Sequence, residues 1–328
     1  MLKARVFVSR VIAREALDMI AGSAEMEVWQ EELPPPYEVL FEKARETDGL
    51  LTLLTDRMDA NLMNNSPNLK VISNMAVGYD NIQIDEATKR RIIVGHTPGI
   101  LTETTADFTF SLLMAAARRV VEADGYTRQG RWKTWEPMTL LGHDIHHATL
   151  GIIGMGRIGA ELAKRARGFD MKVIYHNRTR RSPEEEIMLN AEYVPELPAL
   201  LERADFISIN VPLTPETHHL IGADEFAVMK PTAILVNTSR GPVVDQKAMY
   251  EALKTGKIFS AAIDVTETEP IPPDDPLLTL NNIIIAPHIA SASFPTRTKM
   301  ALMAAENLLA GLRGELPPNC VNPEVFKK

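Results

Sequence analysis

Cysteine is nearly absent: Cys320 is the only one in 328 residues. A lone thiol cannot close an internal disulfide, which suits a reducing compartment, and a cytoplasmic protein is expected. No uninterrupted apolar stretch is long enough to span a bilayer. The opening MLKARVFVSR is too short in apolar run for a signal peptide. An excess of positive charge is also missing, since the formal net charge is −8 and no long basic run occurs. An acidic surface repels phosphate backbones, which makes nucleic acid a poor partner. Only local basic spots, such as Arg178, Arg180 and Arg181, could hold a small anion. There is no short repeat and no low-complexity tract.

What is present is an ordinary globular balance, 45% hydrophobic and 24% charged, on a chain whose length suggests two domains. Strand-like and helix-like patterns alternate throughout, the mark of parallel βαβ units. Residues 4–9, 25–29, 49–54, 69–73 and 92–94 read as strands, and 12–21 as a helix. The proline run at 34–36 is a loop, because proline fixes φ and removes a donor. A long helix is expected from Thr102 through residue 123. The Thr102 hydroxyl can cap it, and Glu103 and Asp107 suit its positive end. The following segment RQGRWKTWEPMTLLGHDIHH is polar, aromatic and poorly periodic, and reads as an extended arm. From residue 148 the rhythm restarts, with strands at 149–153, 172–176, 206–210, 233–237, 260–263 and 283–285. Their near-continuous apolar runs suit strands covered on both faces. A last helix spans 293–312. Lys164, Arg165 and Arg167 read as a solvated helix face. His143, His146 and His147 suggest a metal at first sight, but no cysteine or carboxylate set at ligand spacing accompanies them, so a polar arm is expected and no metal.

The strongest local signal is Gly154-Met155-Gly156-Arg157-Ile158-Gly159, placed between the strand TLGII and the helical run AELAKRARGF, the context this motif requires. The first glycine permits a tight turn, the second lets backbone approach a pyrophosphate, and the third lets helix and strand pack closely. The helix start adds N–H donors and a positive dipole end, and Arg157 can add charge. A structural glycine turn is the alternative. The next strand ends at Asn177-Arg178-Thr179-Arg180-Arg181. An NAD enzyme usually places an acid here for the ribose 2′-OH, and none is present. Arginines instead welcome a 2′-phosphate in fork geometry, so Arg178, Thr179 and Arg180 point to NADP, with NAD possible. Three more segments follow buried strands: Asn237-Thr238-Ser239-Arg240-Gly241, Asp264 through Pro270, and Ala286 through Ser291. Open α/β sheets bind ligands at such strand ends.

Together with GMGRIG, these segments resemble the D-specific 2-hydroxyacid dehydrogenase family, and the resemblance covers nearly the whole chain. NMAVGYDN at 74–81 is similar to the family's substrate loop, and TETTAD at 102–107 to its inter-domain helix start. Within the family, residues 74–81, 132–135 and 177–180 look most like glyoxylate/hydroxypyruvate reductases. The resemblance implies an α/β fold of two doubly wound parallel-sheet domains, a Rossmann cofactor domain and a flavodoxin-like substrate domain, with a cleft whose closure excludes water. The substrate domain would be discontinuous, 1–99 and 290–328. The cofactor domain would be 100–289, with a dimerisation arm at about 120–147.

The resemblance assigns catalysis to Arg240, Glu269 and His288. Reduction of a keto acid needs a hydride at carbon and a proton at oxygen. Imidazolium His288 can give the proton, Glu269 can orient the ring and favour its charged form, and Arg240 can bind the carboxylate and polarise the carbonyl. Glu269 argues against formate dehydrogenase, which carries glutamine in that role. The resemblance further implies that Val77 and Gly78 bind the substrate carboxylate through backbone N–H groups, with Leu53 and Ser291 in the substrate pocket. Thr105 and Asp264 would attend the nicotinamide, Val211 and Pro212 the adenosine, and Thr238 and Ser239 the nicotinamide ribose, while Asn177 would bind the cofactor with the loop of Arg178, Thr179 and Arg180. Trp135 would reach the partner's active site in a homodimer; filling an interface or a local core is the alternative for Trp132 and Trp135. The activity expected is transfer of hydride from NADPH or NADH to a small 2-keto acid. The alternatives are an NAD-linked D-lactate or phosphoglycerate dehydrogenase, the latter needing more cations near the substrate loop, and an NADH-responsive binding protein of the same fold.

Overall fold

The computed structural model describes residues 3–327. Met1, Leu2 and Lys328, which fall in the expected substrate domain, lie outside the described residues. The chain forms two compact units, one running to Leu101 and resuming at Ala292, the other Thr102–Ser291.

The first unit runs β1 (Arg5–Val8), α1 (Arg14–Ser23), β2 (Glu25–Val28), α2 (Tyr37–Glu46), β3 (Gly49–Thr52), α3 (Ala60–Asn64), β4 (Val71–Asn74), α4 (Ile84–Lys89) and β5 (Ile93–Gly95). Its five strands are all parallel, in the order β2-β1-β3-β4-β5. That is the flavodoxin-like order of a doubly wound sheet. Alternate residues of each strand serve opposite faces. Val6, Val8, Leu51 and Val71 pack on the terminal helix Phe294–Leu312 through Ala301, Ala304, Ala305 and Leu308. Phe7, Leu50, Ile72 and Val94 pack on Leu40, Leu62 and Ala87 from the other side. The small alanines let the helix lie close to the strands. Ser293 caps it, its hydroxyl accepting from Thr296 N–H at 3.3 Å.

The second unit runs α5 (Thr102–Ala117), α6 (Val120–Arg128), β6 (Thr149–Ile153), α7 (Arg157–Ala166), β7 (Lys172–His176), α8 (Pro183–Leu189), β8 (Ala191–Tyr193), α9 (Leu197–Arg203), β9 (Phe206–Ile209), α10 (Ala223–Val228), β10 (Ile234–Asn237), α11 (Gln246–Lys254), β11 (Ser260–Ile263) and β12 (Ile283–Ile285). Its seven strands are also parallel, in the order β12-β11-β10-β9-β6-β7-β8. The chain reverses direction across the sheet between β6 and β9, a Rossmann-type switch point where ligands bind. β9, β10 and β11 are buried throughout, as their apolar runs predict. β12 is only half-buried, because it is the edge strand.

Two expectations are corrected here, and one element is new. The helix from Thr102 does not run to residue 123: it ends at Ala117, and a second helix starts at Val120. Ala117 C=O accepts from His143 N–H at 2.9 Å, and Arg119 sits in the left-handed region at φ 52°. The arm therefore begins with a helix, and only 129–147 is irregular. Arg165 is not on a solvated face. It bonds Asp107 at 2.6 Å and Glu161 and Glu103 C=O at 2.8 and 3.1 Å, pinning α7 to α5. Asp107 thus serves this bridge rather than the helix end. Finally, the short edge strand β8 has no counterpart in the sequence pattern, since AEY is too short to show a period. No helix among the described residues is long and apolar enough to cross a membrane.

Candidate active site

The glycine turn lies between β6 and α7, at the switch point. Gly154 has φ +95°, and a Cβ there would stand 2.8 Å from the carbonyl carbon and oxygen of Asn210, so the turn after β6 lies directly on the chain leaving β9. Only glycine meets both demands. A Cβ at Gly156 would meet nothing within 4 Å, whereas one at Gly159 would strike Gly154 C=O at 2.5 Å. The first and third glycines are thus required by the protein's own packing. The second keeps open space where α7 begins with Arg157 and Ile158, the backbone cradle a pyrophosphate needs. Val211 flanks Gly154, and the exposed Pro212 follows it. The donor set fits a dinucleotide.

Asn177 closes the turn from the end of β7: its Oδ1 accepts from Met155 N–H at 2.7 Å. The arginines after it are not equivalent. Arg180 is held in a fork by Glu186 through two bonds of 2.8 Å and lies over the Tyr193 ring, 5.4 Å from its centroid. Those bonds pull the Glu186 carboxyl down to about 2, with help from the Tyr175 hydroxyl. Burial, then the bond to Glu186, pushes Tyr175 up to about 12. Arg181 turns inward, donating to Met155 C=O at 2.6 Å and pairing with Glu185. Arg178 and Thr179 are exposed at the loop's tip. Of the three arginines expected to hold a small anion, Arg178 alone has no ion pair or hydrogen bond among the described residues.

The catalytic candidates stand at the C-terminal ends of β10, β11 and β12. Asn237, buried at the end of β10, organises the first loop. Its Oδ1 accepts from Ser239 N–H and hydroxyl at 3.0 and 2.8 Å, and its Nδ2 donates to Arg240 C=O at 2.9 Å. Thr238 meets Thr109 hydroxyl to hydroxyl at 2.7 Å, one turn along α5 from the buried Thr105. His288 and Glu269 come together: the imidazole Nδ1 donates to the carboxylate at 2.7 Å. With Nδ1 spent, Nε2 is the nitrogen that can face a substrate. Thr266 N–H steadies Glu269 at 3.2 Å. Asp264 is buried, and burial pushes its carboxyl up. Both its oxygens accept backbone N–H groups, from Ile289 at 2.8 Å and Ala290 at 2.7 Å, so it holds the loop that carries His288. Ser291, half-buried, is the last residue of this unit.

In the first unit, Val77 and Gly78 lie half-exposed in the loop after β4, and Leu53 in the loop after β3. Asn81 joins the two loops, its Nδ2 donating to Leu53 C=O at 3.1 Å and Asp56 C=O at 2.8 Å. Buried Asp56 accepts from Leu53 N–H at 2.8 Å and from the Ser9 hydroxyl. Sequence reading missed Thr109 and Asp56, and it quoted Asn237, Asn74 and Asn81 within their loops without giving them a role. Asn237 had a signal, because asparagine two residues before serine is an Asx-turn pattern. Trp132 and Trp135 are exposed on the irregular arm, as is His146, while His143 packs edge-on against Phe259 at 4.4 Å. No cluster of three metal-ligating side chains occurs among the described residues. A cavity of about 540 Å³ between Arg119, Glu122, Lys254 and Ile283 opens at the N-terminal ends of β11 and β12, away from these loops.

A switch-point glycine turn in the same unit as a bonded imidazole–carboxylate pair, both at C-terminal strand ends, points to a dinucleotide-dependent oxidoreductase. Residues 110–290 match the model of the D-isomer specific 2-hydroxyacid dehydrogenase NAD-binding domain. The chain is 57% identical over 327 residues to a glyoxylate reductase of Korarchaeum cryptofilum, covering 99% of this chain and 98% of that one. A solved protein of Thermus thermophilus superposes with a TM-score of 0.91 at 46% identity, covering 97% of this chain and 99% of the other. An NADPH-dependent glyoxylate/hydroxypyruvate reductase of Sinorhizobium meliloti, solved with NADP and malonate, gives 0.86 at 31% identity, covering 98% of each chain. The chain belongs to the D-isomer specific 2-hydroxyacid dehydrogenase family, and it is an oxidoreductase that uses a nicotinamide cofactor.

Proposed function

We propose that this chain is an NADPH-preferring glyoxylate/hydroxypyruvate reductase that reduces a small 2-keto acid to the D-2-hydroxy acid. The observation that carries the reading is the 2.7 Å bond between His288 Nδ1 and Glu269, in the same unit as the glycine turn. The nicotinamide supplies the hydride when bound. His288 gives its Nε2 proton to the substrate oxygen as the carbonyl carbon is reduced, which balances the reaction at one hydride and one proton. Glu269 holds the ring in orientation and offsets its positive charge. Arg240 pairs with the substrate carboxylate and polarises the carbonyl, and Val77 and Gly78 bind the carboxylate through their N–H groups. Leu53 and Ser291 bound the substrate. Thr105, Thr238, Ser239 and Asp264 attend the nicotinamide end, and Val211 and Pro212 the adenosine end.

NADP preference is supported by the absence of an acid at 177–181 and by the exposed Arg178. A homodimer is supported by the arm, where Trp132, Trp135 and Met138 are 65, 80 and 75% exposed, an apolar surface that a partner subunit would bury. On this reading Trp135 reaches the partner's substrate. Sedimentation of a Trp132→Ser/Trp135→Ser variant tests this, with a shift from dimer to monomer expected. A cytoplasmic setting accords with one unpaired thiol. The test of the activity is a matrix of glyoxylate, hydroxypyruvate and pyruvate against NADPH and NADH. The first two acids with NADPH should give the highest kcat/KM. No oxidation of either cofactor with any acid would refute the reading, and equal rates with both cofactors would refute the preference.

A further inference from the structure

Three consecutive carbonyls of the loop after β4 are each tied down by a donor of the same unit. Thr97 N–H donates to Ala76 C=O at 2.8 Å. His96 Nδ1 lies 2.9 Å from Val77 C=O. Asn74 Nδ2 donates to Gly78 C=O at 3.1 Å. A trans peptide holds its C=O antiparallel to the following N–H. Fixing the carbonyls of 76, 77 and 78 therefore aims the N–H groups of Val77, Gly78 and Tyr79. None of these three N–H groups has an acceptor among the described residues, although Met75 N–H before them bonds Thr52 C=O at 2.8 Å and Ile82 N–H after them bonds Tyr79 C=O at 2.9 Å. Successive unpaired backbone donors at a half-exposed loop make a receptor for an anion.

The donor on Val77 is the only ring among the three. A carbonyl oxygen can only accept, so His96 carries its proton at Nδ1. The ring is held edge-on to Tyr79, with centroids 5.5 Å apart. Its backbone is clamped on both sides: His96 N–H donates to Asn319 C=O at 3.1 Å, and His96 C=O accepts from Asn307 Nδ2 at 2.8 Å. Asn307 is fully buried in the terminal helix and also accepts from Asn319 N–H at 3.1 Å. The backbone that carries the imidazole is thus mounted on the core of the unit.

We propose that His96 is a positioning residue for the substrate: its Nδ1–H fixes the Val77–Gly78 peptide so that Gly78 N–H faces the carboxylate of the keto acid. The proposal deepens the assignment of Val77 and Gly78 as carboxylate donors and rests on it. It distinguishes His96 from a packing residue because only the donor at Nδ1 matters. Asparagine places an amide donor close to the position of Nδ1, whereas leucine keeps bulk without a donor.

Two readouts test this on the full chain. His96→Leu should raise KM for glyoxylate about tenfold, the effect of losing one aligned hydrogen bond to an anion. Its kcat should stay within about twofold, and its NADPH affinity and Tm should match wild type. His96→Asn should return KM to the wild-type value. In a titration with oxalate, the Gly78 amide signal should shift in wild type and His96→Asn at concentrations where His96→Leu does not respond. A wild-type KM in His96→Leu overturns the proposal, as does a His96→Asn variant no better than His96→Leu. A wild-type enzyme that reduces no keto acid would instead overturn the reductase reading. The oxalate titration would still decide whether His96 sets the anion-binding amide.

Discussion

Gly241 lies against the backbone of Thr266: a Cβ at 241 would fall 2.0 Å from both the carbonyl carbon and the carbonyl oxygen of Thr266. Two loops that leave different strands are thereby in direct contact, one carrying Arg240 and the other carrying Glu269. The absence of one methyl group sets the separation between the guanidinium loop and the carboxylate that orients His288. Gly241→Ala must push them apart by an ångström or more. Displacements of that size cost on the order of a hundredfold in rate when they move reacting groups. The expected outcome is a kcat/KM for glyoxylate lowered by about two orders of magnitude with an unchanged far-UV spectrum and NADPH still bound. Wild-type kinetics in Gly241→Ala would mean that the two loops do not act as one body.

The sequence showed its chemistry wherever a residue type was itself unusual. The glycine triplet between a strand and a helix stood out by itself, whereas His288 after Ala-Pro and Glu269 before proline took a role only from the family resemblance. The strands other than β8 were legible within one or two residues, because a buried parallel strand needs an apolar run. What stayed hidden is what depends on tertiary partners. Nothing in the local sequence says that Ala117 C=O will find His143 N–H and end α5 there, since the stretch 102–123 has unbroken helical composition. Likewise the RTRR segment reads as uniform positive charge. Its division into a strut at Arg180, an inward clamp at Arg181 and an exposed Arg178 comes from Glu185 and Glu186 on α8, which sequence distance alone does not pair. His96, and the part Asn81 plays within its quoted loop, are invisible for the same reason: each acts through a backbone carbonyl on another loop.

Asn322 is a stability test of this tertiary logic. It is fully buried. Its Oδ1 accepts from Val94 N–H at 2.8 Å, and its Nδ2 donates to Ile92 C=O at 2.9 Å and the Thr88 hydroxyl at 3.1 Å. The side chain therefore serves the backbone at the start of the edge strand β5 in place of a further strand. Asn322→Ala would leave a buried donor and a buried acceptor unpaired, at about 1–3 kcal/mol each before relaxation. The expected loss is about 2–4 kcal/mol in urea unfolding, with kcat unchanged in the surviving folded fraction. A loss below about 0.5 kcal/mol, the size of an ordinary surface substitution, would count against this account.

The Glu186–Tyr175–Arg180 cluster predicts stability at both pH extremes. Glu186 has a folded-state pKa of about 2 against an ordinary 4.5. A depressed carboxyl stabilises the fold above its ordinary value, and that contribution is lost as pH falls from 4.5 through about 2. Tyr175 is raised from 10.0 to about 12, so its contribution is full below 10 and is lost as pH rises through about 12. Glu186→Gln should flatten the acid limb of a Tm-against-pH curve, and Tyr175→Phe the alkaline limb. An acid limb in Glu186→Gln as steep as wild type would show that the carboxylate is not held by Arg180 in solution.

Arg178 and Arg180 should separate cleanly in cofactor choice. Both were expected to face a 2′-phosphate, yet Arg180 already spends its fork on Glu186, while Arg178 stands exposed beyond the end of β7. A charge-assisted bond to phosphate is worth about 1.5–3 kcal/mol, or roughly tenfold to a hundredfold in affinity. Arg178→Ala should therefore raise KM for NADPH by at least about tenfold and leave KM for NADH nearly unchanged, since NADH has no phosphate there to lose. Arg180→Ala should change KM for NADPH by only a fewfold, and it should raise the Glu186 carboxyl by removing the bond that holds it down. If Arg180→Ala instead weakens NADPH as much as Arg178→Ala, then Glu186 releases its arginine when the phosphate arrives. Glu186→Gln, which frees that arginine in advance, would then bind NADPH more tightly than wild type.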